Sequence, residues 1–144
     1  MTRKRFLARF LGAWLATLML DGLWLGFLMG GFYRAELGDL VLTSAEGGFS
    51  PNWLPTLLVY LLIPLGITLF ARPAHAAATL FPSLPASLIK GGVFGLILYG
   101  TYDMTNWSLI AGWSPLVSIV DTLWGVTLCG LASVFSSLAE RLAK

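Results

Sequence analysis

Charged side chains are scarce in this 144-residue sequence. Asp, Glu, Lys and Arg make up 11% of it, whereas 57% of the residues are hydrophobic. A soluble domain carries about 25% charged residues, so a chain with so few is expected to have lipid as its solvent. The sequence also holds one cysteine, Cys129, and one histidine, His75. An internal disulfide, a thiolate metal cluster and a histidine-rich metal site are therefore excluded within one chain, and no basic cluster interleaved with aromatics indicates nucleic-acid binding.

Four long apolar runs are what the sequence does contain, at about residues 6–33, 53–71, 88–111 and 116–138. A helix needs about 20 apolar residues to cross a bilayer. The sequence therefore predicts an all-α protein, a bundle of four transmembrane helices that forms one integral membrane domain over residues 1–144. The first run follows a basic start, but it is much longer than the apolar core of a signal peptide and is expected to be retained.

The basic residues predict the orientation of this bundle. Eight of the nine Lys and Arg residues fall at or beside the N-terminus, the loop after the second helix, and the C-terminus. An even number of helices puts these regions on one side, which the positive-inside rule makes cytoplasmic. Both termini are therefore expected in the cytoplasm. The polar segment 34–52 would face outward, with Tyr33, Trp53, Trp107 and Trp113 as an interfacial aromatic belt.

Three aspartates, Asp21, Asp103 and Asp121, interrupt the apolar runs. Carboxylates inside a bilayer are costly and usually mark function. At 1.5 Å per residue, the three lie roughly 18, 12 and 10 Å from the outer helix ends, so one shared level in the outer half is expected. No lysine or arginine is expected at this depth. The three carboxylates cannot all stay ionised in a dry site, and they would share protons, be compensated by a cation or be reached by water.

Helical spacing places polar and aromatic side chains on the same faces as the aspartates. The predicted ligand- or proton-binding site therefore consists of the three aspartates together with Trp24, Tyr99, Asn106 and Trp124. A purely structural network of hydrogen bonds between helices is the alternative. Beside Asp21, Gly22, Gly26 and Gly30 form a doubled small-xxx-small pattern, which predicts close packing of another helix.

Two stretches of the sequence carry a resemblance to a known family. One is Tyr99-Gly-Thr-Tyr-Asp103-Met-Thr-Asn106-Trp-Ser-Leu-Ile-Ala-Gly-Trp113, continued by Val120-Asp121-Thr-Leu-Trp124-Gly125. The other is Leu20-Asp21-Gly-Leu-Trp24-Leu-Gly26, followed by Phe32-Tyr33-Arg34. Together they resemble the bacterial family of predicted membrane proteins known as DUF2177, over nearly the whole chain.

The resemblance implies a four-helix protein of the bacterial inner (cytoplasmic) membrane. It also implies that the family shares the three aspartates, Asn106 and Trp124. It brings no reaction and no cofactor, so catalytic residues and cofactors stay unassigned, and no metal site is predicted.

Three functions stay open. The first and preferred one is a membrane protein whose acidic site binds a proton, a cation or a small ligand, as a carrier would; four helices make a thin carrier, which suggests a homo-oligomer. The second is an accessory or assembly subunit of a larger membrane complex. The third is a lipid-modifying enzyme that uses carboxyls as general acid and base. Because no nucleophile–histidine pair is present, an enzyme is less favoured. The lipid bilayer is the one partner common to all three.

Overall fold

A computed structural model describes residues 1–72 and 83–143 of the chain, without the side chain of residue 83. Residues 73–82, which belong to the predicted loop after the second helix and include His75, lie outside the described residues, as does Lys144. The helices are α1 (Arg3–Leu23), α2 (Gly30–Leu37), α3 (Trp53–Phe70), α4 (Ser83–Leu109) and α5 (Pro115–Leu142). Over the described part the all-α prediction is confirmed, since no strand forms there and only one isolated bridge, Thr43 to Phe49, occurs.

Four segments of the described chain are long and apolar enough to cross a membrane, which confirms the predicted number of spans. They are Arg3–Leu28, Trp53–Phe70, Leu84–Leu109 and Pro115–Leu142. α4 begins earlier than predicted because Pro85 falls in its first turn, where the missing N–H has no helical partner to lose. α5 begins with Pro115 for the same reason, and the hydroxyl of Ser114 caps it by accepting from the N–H of Val117.

The first predicted helix, 6–33, is interrupted. α1 ends in a π-helical turn over Trp24–Leu28, Met29 leaves the helical region with φ −121° and ψ 0°, and α2 starts at Gly30. A Cβ at position 30 would overlap the carbonyl oxygen of Leu25, so only glycine fits the inside of this bend. Irregular turns of this kind often accompany functional sites.

α5 is the central helix, and it contacts all four others. Its closest neighbour is α4, because glycines replace side chains where the two backbones meet. A Cβ at Gly91 or Gly95 would overlap the carbonyl oxygen of Cys129 or Gly125. The core of the bundle consists of small and branched residues of α1, α3 and α5: Ala13, Ala16, Ile63, Ile67, Cys129 and Ala132.

The glycine pattern of α1 was predicted to pack closely against another helix. At two of its three positions, no described residue makes such a contact. A Cβ at Gly22 or Gly26 would meet nothing within 4 Å, and both residues are exposed. Gly30 serves the bend at Met29 instead. The close helix contacts come from α4 and α5, and from Gly12, whose Cβ would lie 2.7 Å from that of Ala139.

The two ends of the bundle differ in chemistry. At the terminal end, where both chain termini lie, Arg9, Arg72 and Glu140 form ion pairs. At the loop end, residues 38–52 and the turn at Gly112 connect the helices. Large apolar side chains are exposed along every span, as expected for a surface that faces lipid. α3 is exposed over most of its first half, up to Leu62, and buries its second half from Ile63 to Thr68.

Candidate functional site

Asp21 lies at the junction of three helices. The hydroxyl of Tyr60, in α3, donates to its Oδ2 at 2.7 Å, and Nε1 of Trp124, in α5, donates to its Oδ1 at 2.9 Å. Both carboxylate oxygens are therefore satisfied, although the residue is only 8% exposed. Two donors from different helices suit an ionised carboxylate, since bonds to a charged acceptor are the stronger kind.

Asp121 is bound by a side chain of α2, the short helix that follows the bend at Met29. The hydroxyl of Tyr33, in α2, donates to its Oδ1 at 2.6 Å, and Nε1 of Trp24 donates to the oxygen of Tyr33 at 3.1 Å. The rings of Trp24 and Trp124 stack with centroids 4.2 Å apart and planes 2° from parallel. This stack joins the surroundings of Asp121 to those of Asp21.

Tyr33 does not belong to the aromatic belt in which the sequence placed it. It is 6% exposed, because the bend at Met29 turns α2 back toward the bundle. Burial and, next, the carboxylate of Asp121 raise the pKa of its hydroxyl. The hydroxyl therefore keeps its proton and remains a donor to Asp121.

Asp103 differs from the other two aspartates. It is 0% exposed, and neither of its carboxyl oxygens receives a hydrogen bond from a described residue. Its electrostatic neighbours are the carboxyl of Asp121 and the hydroxyl of Thr122. The Thr122 hydroxyl is also buried without a partner in the described part of the chain. α5 touches the backbone here, where the Ser118 hydroxyl donates to the carbonyl of Asp103 at 3.2 Å.

The structure brings most of the predicted site residues together. Tyr99 packs its ring over Gly125 and has Asp21 and Asp121 as electrostatic neighbours. The side chain of Asn106 is partly exposed and makes no hydrogen bond to another described residue. Among residues 1–72 and 83–143 there is also no group of three His, Cys, Asp or Glu side chains that could hold a metal ion. Hydrogen bonds and the Trp24–Trp124 stack connect Asp21 and Asp121, and Asp103 lies beside Asp121; the three aspartates are named here the carboxyl cluster.

Two hydrogen-bond donors to the aspartates were not predicted from the sequence. Tyr33 was expected only in the aromatic belt, and Tyr60 was not singled out. Tyr60 carried a usable signal, because a tyrosine within an apolar run needs a partner for its hydroxyl. Tyr33 carried none, since its inward position depends on the bend at Met29. A second contact of α2 was missed for the same reason. The Ser114 hydroxyl, at the start of α5, donates to the carboxylate of Glu36 at 2.6 Å.

Comparison with known proteins gives one result. The family model described as a predicted membrane protein, DUF2177, matches residues 6–138, which is most of the chain. No curated protein and no solved structure matches.

Proposed function

The chain belongs to the DUF2177 family of predicted membrane proteins, and from that premise we propose that its carboxyl cluster takes up and releases a proton within the membrane. We place it in the bacterial inner membrane with both termini in the cytoplasm, because the basic residues gather at the terminal end. In this proposal the proton drives the movement of a small ligand. Because four helices make a thin carrier, an oligomer is its working form.

The observation that carries the proposal is that Asp103 is fully buried and receives no hydrogen bond from a described residue. An ionised carboxylate buried without donors is so costly that a protein neutralises it instead. No described residue donates a hydrogen bond of good geometry to the Asp103 carboxyl; its neighbours are the carboxyl of Asp121 and the hydroxyl of Thr122. Two adjacent carboxyls cannot both ionise at low cost, so a single proton shared by the pair removes the conflict. The titration then belongs to the pair and not to one residue.

The other contacts of the cluster suit proton exchange more than static packing. Asp21 accepts from two donors, whereas Asp121 accepts from one, Tyr33, and lies beside the carboxyl of Asp103. A structural network would satisfy every buried oxygen. Here a fully buried acid, Asp103, receives no hydrogen bond of good geometry from a described residue, which favours a site that is charged and discharged in turn.

Infrared difference spectroscopy of the protein in lipid tests the proposal, because a protonated carboxyl shows a C=O stretch that a carboxylate lacks. We expect the wild type to show this band near neutral pH, and Asp103→Asn to remove it. Asp39→Asn, which changes an exposed acid in the segment after α2, is the matched control and should keep it. An unchanged band in the Asp103 variant would overturn the assignment.

Proton flux is the second readout. Liposomes containing the protein and an internal pH dye should take up protons faster than empty liposomes when a potential is imposed, and Asp103→Asn should abolish the difference. A wild type that holds the proton but does not move it, and that migrates with a second protein in native gels, would refute the carrier and favour an accessory subunit. A deletion strain with altered lipid composition would favour a lipid-modifying enzyme.

A further inference from the structure

The terminal end carries a second cluster of buried charges, which the proposed function does not use. Nη1 of Arg9 donates to Oε2 of Glu140 at 2.9 Å, and Nη2 of Arg72 donates to Oε1 of the same carboxylate at 2.8 Å. One carboxylate thus serves two guanidinium groups. Nζ of Lys90 adds a third cation to this end, since it donates to the backbone carbonyl of Arg72 at 3.2 Å.

Two of the three guanidinium nitrogens of Arg9 make no hydrogen bond to a described residue. Arg9 is 0% exposed, yet Nε and Nη2 have no partner in the described chain. These two N–H groups point in the same direction and form the planar fork that binds two oxygens of a carboxylate or phosphate. Nε of Arg72 is also buried without a partner. A buried charged group with unpaired donors is costly, and these donors of Arg9 and Arg72 have no acceptor oxygen among the described residues.

The cluster lies near the ends of α1 and α5, where the polar layer of a bilayer is expected. Arg9 lies about 9 Å from the start of α1 at Arg3, and Glu140 lies about 3 Å from the end of α5, at 1.5 Å per residue. The polar layer of a bilayer adds roughly 5–8 Å on each side of the hydrocarbon core. Basic pockets between transmembrane helices at this level are typical binding places for anionic head groups.

We propose that Arg9 and Arg72 bind a phosphate group at the terminal end of the bundle. The free fork of Arg9 takes two phosphate oxygens, and Nε of Arg72 takes one. The side chain of Arg72 is 36% exposed, against 0% for Arg9, so the phosphate reaches the fork by displacing Arg72 outward while Arg9 stays paired with Glu140. A phospholipid head group and free inorganic phosphate share this chemistry.

Native mass spectrometry of the full chain in a neutral detergent tests the site. Phosphatidylglycerol and inorganic phosphate are titrated separately, with diacylglycerol, which has no phosphate, as the control lipid. We expect Arg9→Lys, which keeps the charge but removes the fork, to weaken binding about tenfold. Arg3→Gln removes an exposed charge at the same end and should stay within about twofold of the wild type. Tight binding of phosphatidylglycerol alone identifies a lipid site, and equal binding of inorganic phosphate identifies a site for a free anion.

Two results would overturn the proposal. One is equal binding by the wild type and Arg9→Lys. The other is an equal loss in Arg3→Gln, which would indicate unspecific attraction to positive charge. If Arg9→Lys does not fold, Arg72→Gln decides the question, because this side chain is partly exposed. We expect it to fold and to bind about threefold more weakly, having lost one hydrogen bond, and wild-type affinity in this variant would refute the site.

Discussion

Replacing each aspartate by asparagine separates their roles, because the change keeps the shape and alters only charge and hydrogen bonding. In Asp21→Asn, one of the two donors, Tyr60 or Trp124, would face the new amide NH₂ group and lose its acceptor. In Asp103→Asn, no donor loses a partner, because none is present in the described chain. We therefore expect the first variant to be clearly less stable and the second to be close to the wild type.

The contacts set the magnitudes. A hydrogen bond to a charged group contributes about 1.5–3 kcal/mol in soluble proteins, whereas bonds between membrane helices average about 0.6 and reach about 1.7 kcal/mol. Losing one such bond and weakening another puts Asp21→Asn at a loss of about 1–3 kcal/mol. Asp103→Asn replaces a neutral carboxyl by a neutral amide and should stay within about 0.5 kcal/mol.

The assay is unfolding by increasing mole fraction of a denaturing detergent, followed by tryptophan fluorescence and circular dichroism. Equal destabilisation by Asp21→Asn and Asp103→Asn would refute the reasoning, because it would mean that Asp103 has partners of similar strength. A large stabilisation by Asp103→Asn would also refute it, since relief of a buried negative charge would show that Asp103 is ionised in the wild type.

Four further variants test the packing by the same unfolding assay, with hydrogen exchange added for the first. Tyr33→Phe should cost about 1 kcal/mol and speed hydrogen exchange across α2, because it removes the bond between α2 and α5; unchanged exchange would contradict this. Gly95→Ala should cost about 1–3 kcal/mol by forcing α4 away from α5, whereas Gly22→Ala, into open space, should be neutral or stabilising by up to about 1 kcal/mol; similar losses in both would show that the contacts are misassigned. Glu140→Gln should cost about 3 kcal/mol because Arg9 stays buried without a carboxylate, and a loss below about 0.5 kcal/mol would mean that the cluster is solvated.

The spans were accessible from the sequence because apolar length is a one-dimensional property. The runs that became α3, α4 and α5 needed only small changes at their ends. The first run differed because its break at Met29 depends on how the chain packs around Gly30, and local composition does not show that. The gathering of Asp21 and Asp121, with Trp124 beside them, followed from helical spacing and depth, whereas the donors Tyr33 and Tyr60 did not.

The burial and the ion-pair partner of Arg9 were also not predictable from the sequence. Its position beside the basic start of the chain assigned it to the cytoplasmic interface, yet it is fully buried and paired with a residue near the other end of the sequence. Glycine patterns were similarly ambiguous. Those of α1 and α4 look alike in sequence, and only the three-dimensional contacts show that Gly91 and Gly95 meet a helix while Gly22 and Gly26 do not.

The central position of α5 has a consequence for biogenesis. Chains emerge from the ribosome N-terminus first, so α1 enters the membrane before its partners exist. Until then Arg9 lacks Glu140 and Asp21 lacks Trp124, and insertion of an aspartate at the centre of a span costs about 2.5–3.5 kcal/mol. We therefore expect the first three spans to associate only loosely until α5 is inserted. Truncation before α5 should leave a chain that the cell's quality-control proteases degrade, whichever of the first three spans it retains.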